Sequence, residues 1–314
     1  MEPIRIGVLG CADIAVRRML PAMLAADDIE VAAVASRDAA KAASTAHRFA
    51  ASPVHGYAAL LDRSDLDAVY VPLPAALHAE WVERALLAGK HVLAEKPLTT
   101  ELPRTRALLE LAADRGLVLL ENVMFVHHGQ HAAVRRLLAD GAIGELRSFR
   151  ATFTVPRLPD GDIRYQPELG GGALWDTGVY PVRAALHLLG GPLEVLAAAS
   201  AGREVDTSGA ALLRTPQGVT AQLDYGLDHG YRSSYELCGS EGRITVDRAF
   251  TPPAGFRPAV RLERRTGAEP VDLPAEDQVA ATVAAFAAAV RSGAPADPDL
   301  LRQAELLATI RQFS

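Results

Sequence analysis

The chain has 314 residues, 49% of them apolar, which is enough for two hydrophobic cores. A net charge of −6, from 32 basic and 38 acidic residues with no basic stripe interleaved with aromatics, argues against a nucleic-acid partner, and the apolar stretches are too often interrupted to span a membrane. Two cysteines, Cys11 and Cys238, and no secretory leader point to the reducing cytoplasm and to no disulfide.

Ile4, Ile6 and Val8 alternate with Arg5 and Gly7, and Leu9 extends the apolar run, which predicts a strand with mostly buried faces. Gly10 follows, where a tight turn needs no Cβ. A helix opens at Asp13-Ile14-Ala15 and carries Met19, Leu20, Met23 and Leu24. The spacing Gly10-x-Ala12-x-x-Ala15 is a degenerate G-x-G-x-x-G/A, with the Ala12 methyl where backbone normally approaches phosphate. The N–H groups at the helix start suit a pyrophosphate; an ordinary strand–turn–helix that binds nothing is the competing reading. The next strand, Glu30 to Ala35, runs into Ser36-Arg37, with Lys41 one helical turn further. A site for NAD wants a carboxylate there to accept from the ribose 2′-hydroxyl. A hydroxyl and a guanidinium suit a 2′-phosphate instead, so the expected cofactor is NADP(H), against an Arg37 that is merely solvated.

A third strand, Ala68 to Val71, leads into Pro72-Leu73-Pro-Ala-Ala-Leu-His78, a loop that could wall a nicotinamide, with His78 as a helix cap the alternative. A helix from about Ala75 to Ala88, a strand His91 to Ala94, a helix from about Leu102 to Arg115 and a strand Leu117 to Leu120 complete an alternation that predicts a parallel sheet with helices on both faces. Residues 1–122 therefore read as one domain. Glu95-Lys96-Pro97 stands just beyond a strand's carboxyl end, where such sheets bind ligands. The apolar approach Val92-Leu93-Ala94 would lower the pKa of Lys96 and suit it to proton transfer or to polarising a carbonyl. Pro97 holds Lys96 extended and is open to a cis bond. A plain surface lysine is the bland alternative.

From residue 123 to 314 the pattern changes. His127-His128-x-x-His131 has metal-like spacing but no carboxylate or thiolate partner nearby, so a structural or substrate-lining role is expected and no metal. A helix from His131 to Ala139 precedes strands at Leu146–Val155, Val195–Ala201, Gly209–Leu213, Val219–Tyr225, Ser233–Cys238, Arg243–Val246 and Val260–Arg264, joined by short turns as in a largely antiparallel sheet. Two helices, Gln278 to Arg291 and Leu300 to Arg311, could return to the first domain. Between the first two of these strands, Gly170-Gly-Gly leads to Asp176, Tyr180 and Arg183 at i, i+4 and i+7, one face of a helix that Pro181 either kinks or starts. A phenol near a lysine and an aspartate is a candidate acid for a carbonyl oxygen, against a tyrosine simply satisfied in a core. The segment Arg157 to Tyr165 reads as a loop that could close over a substrate, with Arg164 a candidate cation for a diphosphate.

In order and spacing, the degenerate fingerprint, the 72–78 loop, Glu95-Lys96-Pro97 and Gly-Gly-Gly-x-x-x-Asp-x-Gly-x-Tyr at 170–180 resemble the glucose–fructose oxidoreductase and inositol dehydrogenase family, over essentially the whole chain. The resemblance implies an α/β fold, a Rossmann domain followed by an α/β domain with an open, mostly antiparallel sheet through which subunits associate as a dimer or tetramer. Many members carry His where this chain has Tyr180, and an acid or Asn at Arg183. Tyr is found in the subgroup that reduces C3 ketones of nucleotide-linked deoxysugars, which the runs at 10–15, 71–75, 94–100, 121–125 and 161–165 also resemble; dihydrodiol dehydrogenases share the Tyr. The implied activity is NADPH-dependent reduction of the C3 ketone of a TDP-linked keto-deoxysugar, with Tyr180 as proton donor, Lys96 stabilising the oxygen and Asp176 orienting both. The implied cofactor site is Gly10, Cys11, Ala12, Asp13, Ile14, Ser36, Arg37, Lys41, Pro72, Leu73, His78, Glu95 and Lys96. The implied substrate site is Arg164, Tyr165, Trp175 and Tyr180. An NADP-dependent diol or free-sugar dehydrogenase and a non-catalytic NADP-binding regulator remain as alternatives.

Overall fold

The computed structural model of the protein describes residues 2–313. The alternating run at the start forms β1 (Ile4–Leu9), followed by β2 (Ile29–Ser36), β3 (Ser52–His55), β4 (Ala68–Val71), β5 (His91–Ala94) and β6 (Leu119–Glu121). These six strands pair in parallel in the order β3-β2-β1-β4-β5-β6. Every residue of β4 is buried, as are Val92, Leu93 and Ala94 of β5, the burial on both faces that flanking helices produce. The connections carry α1 (Leu20–Leu24), α2 (Ala39–Arg48), α3 (Tyr57–Leu61), α4 (Ala75–Leu87) and α5 (Leu102–Asp114). The strand order reverses beside β1, so the loops beyond the carboxyl ends of β1 and β4 are where such a sheet receives a ligand.

The second half contributes α6 (Gly129–Ala139), β7 (Leu146–Thr154), α7 (Val179–Leu189), β8 (Glu194–Gly202), β9 (Asp206–Arg214), β10 (Thr220–Gly226), β11 (Arg232–Gly239), β12 (Gly242–Asp247), β13 (Ala259–Arg264) and β14 (Gly267–Val271). Its sheet runs β14-β13-β12-β11-β7-β10-β9-β8. All its pairs are antiparallel except β7 with β10. Phe149, Ala151 and Phe153 of β7, Ala221, Leu223 and Tyr225 of β10, and Tyr235 and Leu237 of β11 are buried in one core with α7 residues, while Arg150, Gln222 and Asp224 on the alternate positions are exposed. This is the parallel-plus-antiparallel α/β architecture that the sequence predicts. The chain ends in α8 (Gln278–Ser292) and α9 (Pro298–Gln312).

The chain divides into two compact units, the residues up to Asn122 with Val279–Leu301, and Val123–Gln278 with the residues from Arg302. Arg291 of α8 pairs with Asp28 at 2.7 Å, and Leu300 joins the core of the first unit. Leu306, Leu307 and Ile310, further along α9, belong to the core of the second.

Two strands escape the sequence pattern. β3 contains Pro53 and β14 contains Pro270, and each is an edge strand. An edge is where a residue without an N–H is tolerated, and it lacks the two-sided burial that makes a strand legible. The helix after β1 is also irregular: a π-helical stretch, Ala15–Met19, precedes α1 with its Pro21. The same arrangement recurs at Leu174–Gly178, a π-helical stretch before α7 and its Pro181. Proline removes one rung of the ladder and crowds the carbonyl four residues back, and a widened turn relieves both.

Candidate active site

At the end of β1, Gly10 adopts φ +120, a conformation that L side chains rarely take, and a Cβ there would stand 3.0 Å from Leu73 Cδ2. Its N–H donates to Ala35 O at 2.9 Å. The Ala12 carbonyl already accepts from Val16 N at 3.1 Å, so Asp13 and Ile14 lie in the first turn of the helix. Asp13 is exposed beside Arg17 at 3.0 Å. Cys11 is a half-buried free thiol.

Ser36 is buried, and its Oγ accepts from Asp38 N at 3.1 Å. Asp38 is the acid that the sequence reading passed over. Its carboxylate accepts from Ala40 N at 2.8 Å and Lys41 N at 3.1 Å, capping α2. The carboxylate is therefore committed to the helix, and the side chains of Arg37 and Lys41 are exposed. A site with its acid turned to a cap and its cations outward fits a phosphorylated ribose better than a free 2′-hydroxyl. Tyr57 is a further residue missed in the sequence. It is buried, its hydroxyl lies 3.8 Å from where a Gly10 Cβ would stand, and its ring meets Trp81 edge-on at 5.1 Å. The signal for it, Gly56-Tyr57 at the end of a strand, is hidden because β3 is.

Beyond β5, Glu95 is buried and accepts from Tyr70 Oη at 2.7 Å and Asn122 Nδ2 at 2.6 Å. Burial and Glu95 push the Tyr70 pKa up, which keeps it the donor. Lys96 is half-buried, and its peptide bond to Pro97 is cis. Leu98 N donates to the buried Glu121 at 2.7 Å. His78 is fully buried, with Nδ1 2.8 Å from Pro97 O and Nε2 2.7 Å from Leu73 O. Burial lowers its pKa against the pull of the two carbonyls; the neutral ring has one N–H and donates to only one of them, while its packing between the two keeps the 72–78 loop against the Lys96 loop. Both of its nitrogens face these carbonyls, so His78 shapes the wall from behind and does not present a nitrogen at its surface.

In the second unit, Gly171 N and Gly172 N donate to Gln166 O at 3.0 Å and Arg164 O at 2.9 Å. A Cβ on Gly171 would stand 2.6 Å from Arg164 O, which is why this approach needs glycine. Leu174 N donates to Asp206 at 2.7 Å, so β9 caps the start of the π-helical stretch. Thr177 Oγ1 donates to Ala173 O at 3.0 Å, within the turn ahead of Pro181. The single face expected for Asp176, Tyr180 and Arg183 is corrected accordingly. Asp176 lies in the widened turn and Tyr180 at the start of α7, both half-buried, whereas Arg183 is only 5% exposed. The Tyr180 ring stands among Phe153 at 4.7 Å, Phe250 at 5.8 Å and Phe125 at 6.1 Å.

Asp176 accepts from Arg164 Nε at 2.8 Å, and Arg164 Nη1 also reaches Asp162 at 3.1 Å. Burial opposes charge on Arg164, but Asp176 and Asp162 outweigh it and raise its pKa. Two carboxylates thus already face the cation expected to meet a diphosphate. Tyr165 Oη accepts from Leu158 N and donates to Leu227 O, both at 3.1 Å, tying the 157–165 loop to the core. Trp175 is buried, with the Arg311 guanidinium 5.4 Å above its ring. His131 donates from Nε2 to Ala249 O at 3.0 Å and accepts from Tyr235 Oη at 2.9 Å, and burial drops its pKa to about 3. Among the described residues no group of three or more His, Cys, Asp or Glu side chains is arranged to hold a metal ion.

Residues 4–123 match the model of an oxidoreductase family with an NAD-binding Rossmann fold, and residues 131–245 match that of the GFO/IDH/MocA C-terminal domain. The chain is 55% identical over 316 residues to dTDP-3,4-didehydro-2,6-dideoxy-alpha-D-glucose 3-reductase of Actinomadura kijaniata, covering 99% of this chain and 95% of that one. It is 54% identical over 323 residues to the protein of the same name from Saccharopolyspora spinosa, covering 99% and 97%. The crystal structure of a 3-ketoreductase from Actinomadura kijaniata with NADP and TDP-benzene superposes with a TM-score of 0.96 at 54% identity, covering 99% of this chain and 98% of that one. That protein has also been solved with one tyrosine replaced by phenylalanine and with one lysine replaced by alanine. The chain belongs to the GFO/IDH/MocA family of oxidoreductases.

Proposed function

We propose that the protein is an NADPH-dependent 3-ketoreductase that converts the C3 ketone of a TDP-linked keto-deoxysugar, a 3,4-didehydro-2,6-dideoxyglucose, to the C3 alcohol. One observation carries the reading beyond family membership. The lysine and tyrosine replaced in the Actinomadura 3-ketoreductase are separated in sequence by the same interval as Lys96 and Tyr180. Oxidation of a diol or free sugar, and cofactor sensing without turnover, have no comparable support.

The first 122 residues hold NADP(H). Gly10 to Ile14 form the pyrophosphate turn; Ser36, Arg37 and Lys41 receive the 2′-phosphate; Pro72, Leu73, Glu95 and Lys96 border the nicotinamide, with His78 fixing their loops. The cofactor, when bound, supplies the hydride equivalent that goes to C3. Tyr180 donates its hydroxyl proton to the carbonyl oxygen as negative charge builds there. The Lys96 ammonium hydrogen-bonds that oxygen, a contact stronger in the transition state than in the ground state. Asp176, held by Arg164, orients the pair and offsets the lysine's charge. Ketone, NADPH and one proton give secondary alcohol and NADP⁺. Residues 123–314 bind the substrate, with Arg164, Tyr165 and Trp175 bounding the sugar-nucleotide site. They also associate with further copies through the sheet face that carries Arg150, Gln222 and Asp224, and the enzyme works in the cytoplasm.

The test is NADPH oxidation with the TDP-linked 3-ketosugar and with the same sugar lacking TDP. The expected result is turnover of the TDP-linked compound with kcat/KM higher by orders of magnitude. Equal turnover of the two would contradict the proposal.

A further inference from the structure

The end of β2 is stitched to the segment after β3. Gly56 N donates to Ser36 O at 2.9 Å, and His55 Nε2 lies 3.1 Å from Arg37 O. Gly56, at φ +87, then turns the chain into α3. The first residue of α3, Tyr57, is only 9% exposed, and its ring is wedged edge-on against Trp81 at 81°. The phenol is thus fixed at its ring end, and its hydroxyl is delivered to the space beside Gly10, within electrostatic reach of the Arg37 guanidinium and of Cys11. Burial pushes the Tyr57 pKa up and Arg37 draws it part of the way back, so the group is a neutral phenol that can accept from the guanidinium and still donate its own proton. The Ser36 hydroxyl, which accepts from Asp38 N, likewise keeps its proton for donation.

We infer that Tyr57 is a specificity-determining residue for NADP(H), orienting Arg37 and donating a hydrogen bond to the ribose 2′-phosphate. The inference rests on the NADP(H) reading above. A neutral hydroxyl that meets a phosphate dianion in a half-buried cleft makes a charge-assisted hydrogen bond, while a ribose bearing only a 2′-hydroxyl gains little from it.

The experiment is calorimetric titration of the full-length protein with 2′,5′-ADP and with 5′-AMP, which differ only by the 2′-phosphate. Wild type, Tyr57→Phe and Arg37→Ala are compared; the phenylalanine keeps the ring against Trp81. Tyr57→Phe is expected to weaken 2′,5′-ADP about tenfold and leave 5′-AMP unchanged. If Arg37→Ala loses 2′,5′-ADP affinity but Tyr57→Phe retains it, the inference is overturned and the NADP(H) reading stands. Equal weakening of both nucleotides by Tyr57→Phe would reduce Tyr57 to a packing role and also overturn it. A wild-type protein that does not distinguish the two nucleotides would overturn the NADP(H) reading and the inference together.

Discussion

Ser36-Arg37-Asp38 shows how much at the proposed cofactor site turns on where one side chain points. The sequence offers an acid and a base side by side, and the structure gives the acid to the α2 N-terminus and leaves the base exposed. Tyr180 is a residue whose hydroxyl can be tested apart from its ring. Tyr180→Phe retains contact with Phe125, Phe153 and Phe250, so folding should be unchanged. Loss of the proposed general acid should lower kcat by roughly 10²–10⁴. Stopped-flow NADPH oxidation with chemistry rate-limiting reads it, and a wild-type rate would remove Tyr180 from proton donation. Gly10, Lys96 and Tyr180 can be singled out in sequence because each stands in a short motif. Tyr70 and Asn122 cannot, because they meet Glu95 from 25 and 27 residues away. Arg164 and Asp176 can each be singled out in sequence, but their ion pair is visible only in three dimensions.

At the scale of elements, the start of α7 is the informative case. The helix carrying Tyr180 begins in a widened turn and takes its cap from another strand, through Asp206 to Leu174 N. Asp206→Ala removes that acceptor, which should cost about 0.5–2 kcal/mol of stability and lower kcat as well, since the first turn of α7 positions the phenol. Asp206→Asn, which keeps an acceptor oxygen, should recover most of both. Thermal melting and steady-state kinetics on the two variants check this, and unaltered kcat in Asp206→Ala would disconnect the cap from the site. The sequence shows the buried strands clearly, β4 and β5 through the apolar runs that two-sided burial leaves and β1 through the alternation of Ile4, Ile6 and Val8. It hides β3 and β14, whose prolines and exposed residues look like loop, and with β3 it hides Tyr57.

At the scale of the whole molecule, three histidines are buried among the described residues, His78 in the first unit and His128 and His131 in the second. Burial lowers the pKa of all three, that of His131 to about 3. In the unfolded chain they take up protons near pH 6.5. Below that pH the unfolded state therefore binds more protons than the native one, so stability falls as pH falls. His131 adds to this loss until the pH nears 3, at about 1.4 kcal/mol for each pKa unit of depression. Thermal melting should give a clearly lower Tm at pH 5 than at pH 7.5, and equal values would contradict neutral burial. The parallel pairing of β7 with β10 inside an otherwise antiparallel sheet is set at this scale too. It depends on a crossover through α7 that no local pattern encodes.

Hydride delivery to C3 of a TDP-linked ketosugar is the step on which the proposed function stands. It is tested most directly with NADPH deuterated at C4 of the nicotinamide, the TDP-linked 3-ketosugar and mass spectrometry with NMR of the product. One deuterium at C3 for each NADPH oxidised, delivered from one face of the nicotinamide, is the expected result. NADPH oxidised without deuterium at C3, or a ketosugar returned unreduced by folded, NADPH-binding protein, would contradict it.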